Sequence, residues 1–314
     1  MPEFGIHARA RAPFDAVGFG LNAVDHLCVV PEPPEYDSKI RVQRFARSGG
    51  GQAASAMVLL ARFGLRVKYV GKVGGDEIGA FSLASIRSEG VDVSDVPAVP
   101  GVTNQVAMIV VDARNGARTI LWHRPPEIAT QPDDITPEKV AVGRALLVDG
   151  HDAPAAARAA WIARDRGVPV LLDAESVKEG TDEVVSRTDL LVASSRFPAL
   201  FTGIADGEAA LRRILSLGPR LAAMTLGREG ALAVTAGGDV LRSRGFTVDA
   251  VDTTGAGDVF HGAFLYGFLA GWTVERTLDF SNAAAAMSCT ELGARGGARS
   301  PGEVLAFMER SERA

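Results

Sequence analysis

The chain has 314 residues, with 33 Lys and Arg against 38 Asp and Glu, for a formal charge of −5 at pH 7. Apolar residues make up 47% and charged residues 23%, which excludes a long disordered protein and leaves room for two average domains, or one large α/β domain with an appendage. The mild acidity, with no basic cluster, argues against nucleic acid as the main partner.

Met1 to Arg11 holds charges but no apolar core, so no secretory signal is read there. Short β-branched runs then alternate with helix-length segments. Strands are expected at Ala16–Phe19, Val67–Val70, Ala145–Val148, Val168–Leu172, Leu190–Val192, Leu221–Thr225 and Ala231–Val234. Helices are expected at Ala53–Phe63, Ile78–Glu89, Ala153–Arg166, Gly207–Leu217, Ala256–Ala270, Val274–Glu291 and Gly302–Arg310. Several strands are apolar on consecutive residues, as when both faces are covered. The alternation predicts an α/β fold with a mostly parallel sheet and helices on both sides.

Two stretches differ. Ile40–Arg47 alternates apolar and polar residues, and so does Gln105–His123 on either side of Arg114-Asn115-Gly116-Ala117. Asn-Gly between alternating runs signals a hairpin. A small antiparallel sheet set apart from the main one is therefore expected, serving as a lid or an interface. The division is 1–31, 48–101 and 125–314 for the large domain and 32–47 and 102–124 for the β lid. The run Phe260 to Trp272 is too short to span a membrane and is broken by Gly262, Gly267 and Gly271. Cys28 and Cys289 make no C-x-x-C and no disulfide framework, so both read as small core residues in a reducing cytoplasm.

The most informative segment is Asp252-Thr253-Thr254-Gly255-Ala256-Gly257-Asp258-Val259-Phe260, after an extended run and opening a helix. Its glycines permit close approach of another group, and unpaired first-turn amides at the positive helix end suit an anion. The same helix end favours ionised Asp258, a carboxylate able to take a proton. A charge cradle beside a base is what phosphoryl transfer to an alcohol needs. Taken alone, Asp258 reads better as a helix cap, with the glycines only making the turn.

Other segments shift that balance. Ser48-Gly49-Gly50-Gly51-Gln52-Ala53-Ala54-Ser55 is a glycine-rich turn into a helix. Gly18–Asp25 places an acid after a strand, and Thr225-Leu226-Gly227-Arg228-Glu229-Gly230 lies just beyond another, where open α/β sheets bind ligands. With these motifs in order, the chain resembles the ribokinase/PfkB family of carbohydrate kinases over nearly its whole length. Within it, Asp37–Arg41, Asn115–Ile120 and the layout of Leu278–Leu292 with Gly293–Gly297 look similar to ketohexokinase-like members.

The resemblance implies a ribokinase-like three-layer sandwich with a β lid, and transfer of the γ-phosphoryl of ATP to a hydroxymethyl group of a ketohexose-like sugar. It implies Asp258 as general base and Gly255, Ala256 and Gly257 as anion hole. Asp25, Gly50, Gly51, Gln52 and Ser55 would line the sugar site. Arg118 would reach over the substrate, and Asp37 would do so from a partner subunit in a lid-to-lid homodimer. Thr225, Gly227 and Gly230 would border the ATP phosphates and Asn282 the adenosine. Mg²⁺ is implied with ATP, and Asp252 and Thr254 resemble positions of a monovalent-cation (K⁺) site, their plainer role being a turn and a helix start.

Two departures stand out. Ser55 occupies a position where the family usually has Asn, and Ser194-Ser195-Arg196-Phe197 replaces the usual magnesium-associated Asn-x-x-Glu, so protein ligands for Mg²⁺ stay unassigned. Both motivate alternatives: a nucleoside kinase, or a sugar sensor without turnover. A nicotinamide-dependent dehydrogenase ranks far lower, because no G-x-G-x-x-G follows the first strand. His26, His123, His151 and His261 read as structural. Asp149 to Asp152 and Asp173 to Glu175 read as solvated loop acids, and Ala283–Met287 as helix packing.

Overall fold

The computed structural model describes residues 3–297 and 300–314. Among these, eight strands form the main sheet in the order Val240–Ser243, Ala231–Thr235, Leu221–Thr225, Leu190–Ala193, Val170–Ala174, Gly143–Val148, Phe14–Phe19, Val67–Val70. The last six run parallel, and the two at the first edge are antiparallel. Each strand expected from the sequence is present to within two residues at either end.

Alternate strand residues enter two separate cores. Val17, Phe19, Leu146, Val148, Leu191 and Ala193 pack beneath the helix Ala153–Asp165. Ala16, Ala145, Leu147, Leu190 and Val192 face the helices Gln52–Arg62 and Ala256–Leu269. The first helix buries Ala155, Ala156, Ala159, Ala160 and Ala163, whose short side chains fill a thin layer without voids.

The second sheet has the order Arg44–Gly50, Ala23–Val30, Val106–Asp112, Arg118–His123. Its outer pairs are antiparallel and its central pair is parallel. The strand Ala23–Val30 was not singled out in the sequence, and the alternation at Ile40–Arg47 resolves into a strand beginning only at Arg44. Leu27, Ala107, Ile109 and Val111 pack with Leu292 on the face toward the large domain. On the opposite face by register, Phe45, Met108 and Leu121 are exposed. No helix among the described residues is long and apolar enough to cross a membrane.

Candidate active site

In an open parallel sheet, ligands gather where the strand order reverses, beyond the carboxyl ends. Here that point lies between Phe14–Phe19 and Gly143–Val148. Asp149, the next residue, accepts from the amides of Leu21 at 2.6 Å, His151 at 3.0 Å and Ala53 at 3.4 Å. It is buried, as is Asp173, so neither is a solvated loop acid. The closing of this edge by the start of helix Gln52–Arg62 and by His261 is what excludes water from them.

Beside this point the helix Ala256–Leu269 begins. Gly255 precedes it at φ 75, and a Cβ there would lie 2.5 Å from the Ala294 Cα. A Cβ on Gly257 would meet nothing within 4 Å. The first glycine is thus required by the fold, whereas the second leaves open space over the helix end. Asp252, fully buried, takes the amide and hydroxyl of Thr254 on Oδ1 at 2.8 and 2.7 Å and the Gly293 amide on Oδ2 at 2.9 Å.

Ala256 and Gly257 border a cavity of about 1110 Å³, shared with Thr225, Gly227, Gly230 and Asn282. Phe246, Val248, Ala285 and Ala286 give it an apolar wall, so the alanine run splits, with Ala283 and Ala284 in the core. Cys289 also borders this cavity rather than the core. The Asn282 amide donates to Ser243 Oγ at 2.8 Å and holds the wall in place. Arg118 and Asn115 of the lid hairpin reach the same cavity.

On the other side lies the glycine turn. Asp25 is buried on the lid strand, and a Cβ on Gly50 would lie 2.1 Å from its Oδ2. Gly51, at φ 90, abuts the Asn22 backbone. The Gln52 side chain lies beside Asp173 and opposes the rise of its carboxyl. The Ser55 hydroxyl is buried and has no hydrogen-bond partner among the described residues. Asp37 is exposed on the loop before Arg44, at φ 56, and this chain alone does not bring it to the site.

Asp258 is half-buried between the two sides. Burial, then the acids Glu175 and Asp25, push its carboxyl up to about 8, against the pull of Arg118. Desolvation and like charges act against the ionised form that the helix end favours. Beneath it, His261 Nδ1 lies 2.6 Å from the Gly257 carbonyl and Nε2 lies 3.3 Å from Asp173 Oδ1. Burial lowers the imidazole to about 4, and burial with Asp258, Asp149 and Glu175 holds Asp173 well above the usual carboxylate range. His261 Nε2 also lies 3.2 Å from the Val192 carbonyl, so the buried ring sits between two backbone carbonyls and the Asp173 carboxyl.

Sequence reasoning missed Arg295, which donates to the Gly50 carbonyl at 3.1 Å from a segment 245 residues away. No motif marks it. Asp149, Asp173 and Glu175 did carry a signal, since Asp149 and Glu175 each follow a strand and Asp173 lies near the carboxyl end of one.

A parallel sheet with a ligand cavity at its reversal point, a glycine-flanked helix end and a separate β lid define a phosphotransferase of the sugar-kinase class. The chain belongs to the pfkB family of carbohydrate kinases, whose profile matches residues 16–300. It is 28% identical to a ribokinase of Haemophilus influenzae, covering 92% of this chain and 96% of that one. It is 27% identical to a 5-dehydro-2-deoxygluconokinase of Clostridium perfringens, covering 90% of each. A crystal structure from Agrobacterium tumefaciens, provisionally described as a ribokinase, superposes with a TM-score of 0.88 at 28% identity, over 94% of this chain and 97% of the other.

Proposed function

We propose that this sugar kinase moves the γ-phosphoryl of ATP to a hydroxymethyl group of a free sugar, ketohexose-like or related, with Asp258 as general base. One observation carries the reading. Asp258 lies in the first turn of the helix whose Ala256 and Gly257 border a cavity of about 1110 Å³, within electrostatic reach of the buried acid Asp25. A proton acceptor beside both a nucleotide cavity and an acceptor-site acid suits in-line transfer.

The residues fit the groups implied. The cavity accommodates a nucleotide, with Thr225, Gly227 and Gly230 at one end and Asn282 in the wall. Magnesium-ATP, when bound, supplies the phosphoryl group and offsets its charge. No cluster of three or more ligating side chains occurs among the described residues, so Mg²⁺ would enter on the phosphates with its waters. Gly255, Ala256 and Gly257 stabilise charge on the phosphoryl oxygens, and Asp25, Gly50, Gly51, Gln52 and Ser55 face the sugar. Arg118 sits where lid and cavity meet. Asp252 is held by backbone amides and a hydroxyl, with no side-chain counter-ion among the described residues, which suits K⁺ beside it and Thr254.

The exposed lid face of Phe45, Met108 and Leu121 fits a second copy of the chain, which would also bring Asp37 to the site. Light scattering that gives the mass of one chain at working concentration would remove that dimer.

The experiment for the main reading is a panel of ketoses, aldoses, sugar acids and nucleosides with magnesium-ATP, read as ADP release. A free sugar is expected to release most ADP. A nucleoside doing so would make this a nucleoside kinase, and tight sugar binding without ADP would make it a sensor.

A further inference from the structure

We propose that Arg295 is a positioning residue of the acceptor site, supplying the positive charge against which Asp25 faces the acceptor's hydroxyls. The proposal rests on the reading of Asp25 as an acceptor-binding group.

Arg295 is built in from several directions. Its Nη1 donates to Ser85 Oγ at 3.0 Å and its Nη2 to the Gly50 carbonyl at 3.1 Å. Its own carbonyl accepts from Arg62 Nη1 at 2.5 Å, and Arg62 Nε is held by Glu89 at 2.9 Å. A buried guanidinium with its backbone pinned has little freedom to move away.

The glycine turn lies between Arg295 and Asp25. A Cβ on Gly49 would lie 2.3 Å from Arg295 Nη1, and a Cβ on Gly50 would lie 2.1 Å from Asp25 Oδ2. The two glycines leave the space that an arginine fills on one flank and an aspartate on the other. Gly49 and Gly50 are consecutive strand residues, so Arg295 and Asp25 stand on opposite faces of that strand and act on each other by charge across it.

The same segment also touches the phosphoryl side. Gly293 donates to Asp252, and Ala294 packs on Gly255. Three consecutive residues, 293 to 295, thus tie the helix-end loop to the glycine turn beside the acceptor acid.

The electrostatics agree in direction. Burial pushes Asp25 up to about 6, Arg295 opposes this, and Asp252 adds to it. Asp258 is a further acid coupled to Asp25. Around Arg295 itself stand Asp25, Arg62, Glu89 and Asp258; burial lowers it to about 10, so it stays charged at neutral pH. A carboxylate accepts hydrogen bonds from two hydroxyls at once, and a protonated acid does so poorly.

The test combines two readouts at fixed Mg²⁺ and K⁺. The Asp25 carboxyl is titrated by ¹³C NMR, assigned by its loss in Asp25→Asn. KM is measured for MgATP and for the panel acceptor that releases most ADP. In Arg295→Gln the Asp25 midpoint is expected to rise by about one pH unit or more. The acceptor KM is expected to rise about tenfold or more while the MgATP KM stays within about twofold. Arg295→Lys, which keeps the charge, should restore the midpoint. Gly49→Ala, whose methyl displaces the guanidinium, should move both readouts the same way and serves if Arg295→Gln does not fold.

A midpoint that stays put overturns the proposal and leaves the kinase reading intact. A midpoint that rises with no change in acceptor KM overturns the acceptor role of Asp25, and the proposal falls with it.

Discussion

The hydroxyl of Thr253 donates to the carbonyl of Gly116 at 3.0 Å, and the Thr253 amide donates to the same carbonyl at 3.2 Å. Arg118 Nη1 in turn donates to the Thr253 hydroxyl at 2.7 Å. The tip of the lid hairpin is thus fastened to the loop that precedes the helix end. This brings Asn115 and Arg118 to the edge of the cavity, and on the proposed reading the lid would keep water from the phosphoryl group. Thr253→Val removes the hydroxyl at nearly constant shape. It should raise the acceptor KM severalfold and increase ADP release in the absence of acceptor, measured in a coupled assay.

Asp258→Asn should lower kcat by about 10²- to 10⁴-fold with little change in either KM, since it removes the proton acceptor and leaves the binding groups. Near-normal turnover in steady-state assays would remove Asp258 as the base.

The raised Asp258 carboxyl sets a pH dependence. A base works only when unprotonated, so activity must fall as pH drops below its value in the free enzyme, about 8. A profile of kcat/KM for MgATP should show an acid limb near that pH, and Asp258→Asn should flatten it. A profile level from pH 6 to pH 9 in the wild type would contradict the assignment.

The same shift acts on stability. An acid raised in the folded state favours folding below its unfolded value, and this contribution is lost as pH rises through the folded one. Asp258→Asn should therefore unfold at a higher temperature than the wild type. The gain should grow from pH 4 to pH 8 and then level off. Thermal melts across that range check the sign.

The two glycines of the helix end should respond differently to alanine. Gly255→Ala forces a left-handed backbone and a 2.5 Å contact with Ala294, so the melting temperature should fall clearly. Gly257→Ala meets nothing within 4 Å, so the fold should hold while kcat drops. Equal losses of stability in the two variants would speak against an open helix end at Gly257.

The parallel strands were legible because both faces are covered, which leaves unbroken apolar runs such as Leu190–Ala193. The helix end was legible because its residues are contiguous, from Asp252 to Asp258. The strand Ala23–Val30 was not, because its apolar run follows the first strand after only a short turn and reads as its continuation. Asp25 and Leu27, two residues apart on it, are both buried and are the trace of its period. The elevated state of Asp258 depends on Glu175 and Asp25, which lie far off in sequence. Arg295 shows the same limit, since its partners Ser85 and Gly50 come together only through folding.

The crowd of acids at the sheet edge has one more consequence. With Asp25 and Asp149 near 6, Asp258 near 8 and Asp173 higher than an ordinary carboxyl, the resting enzyme keeps a small reserve of hydrogen ions at its centre. On the proposed reading, a divalent cation arriving with ATP would oppose that protonation, and its binding would release protons to the surrounding buffer.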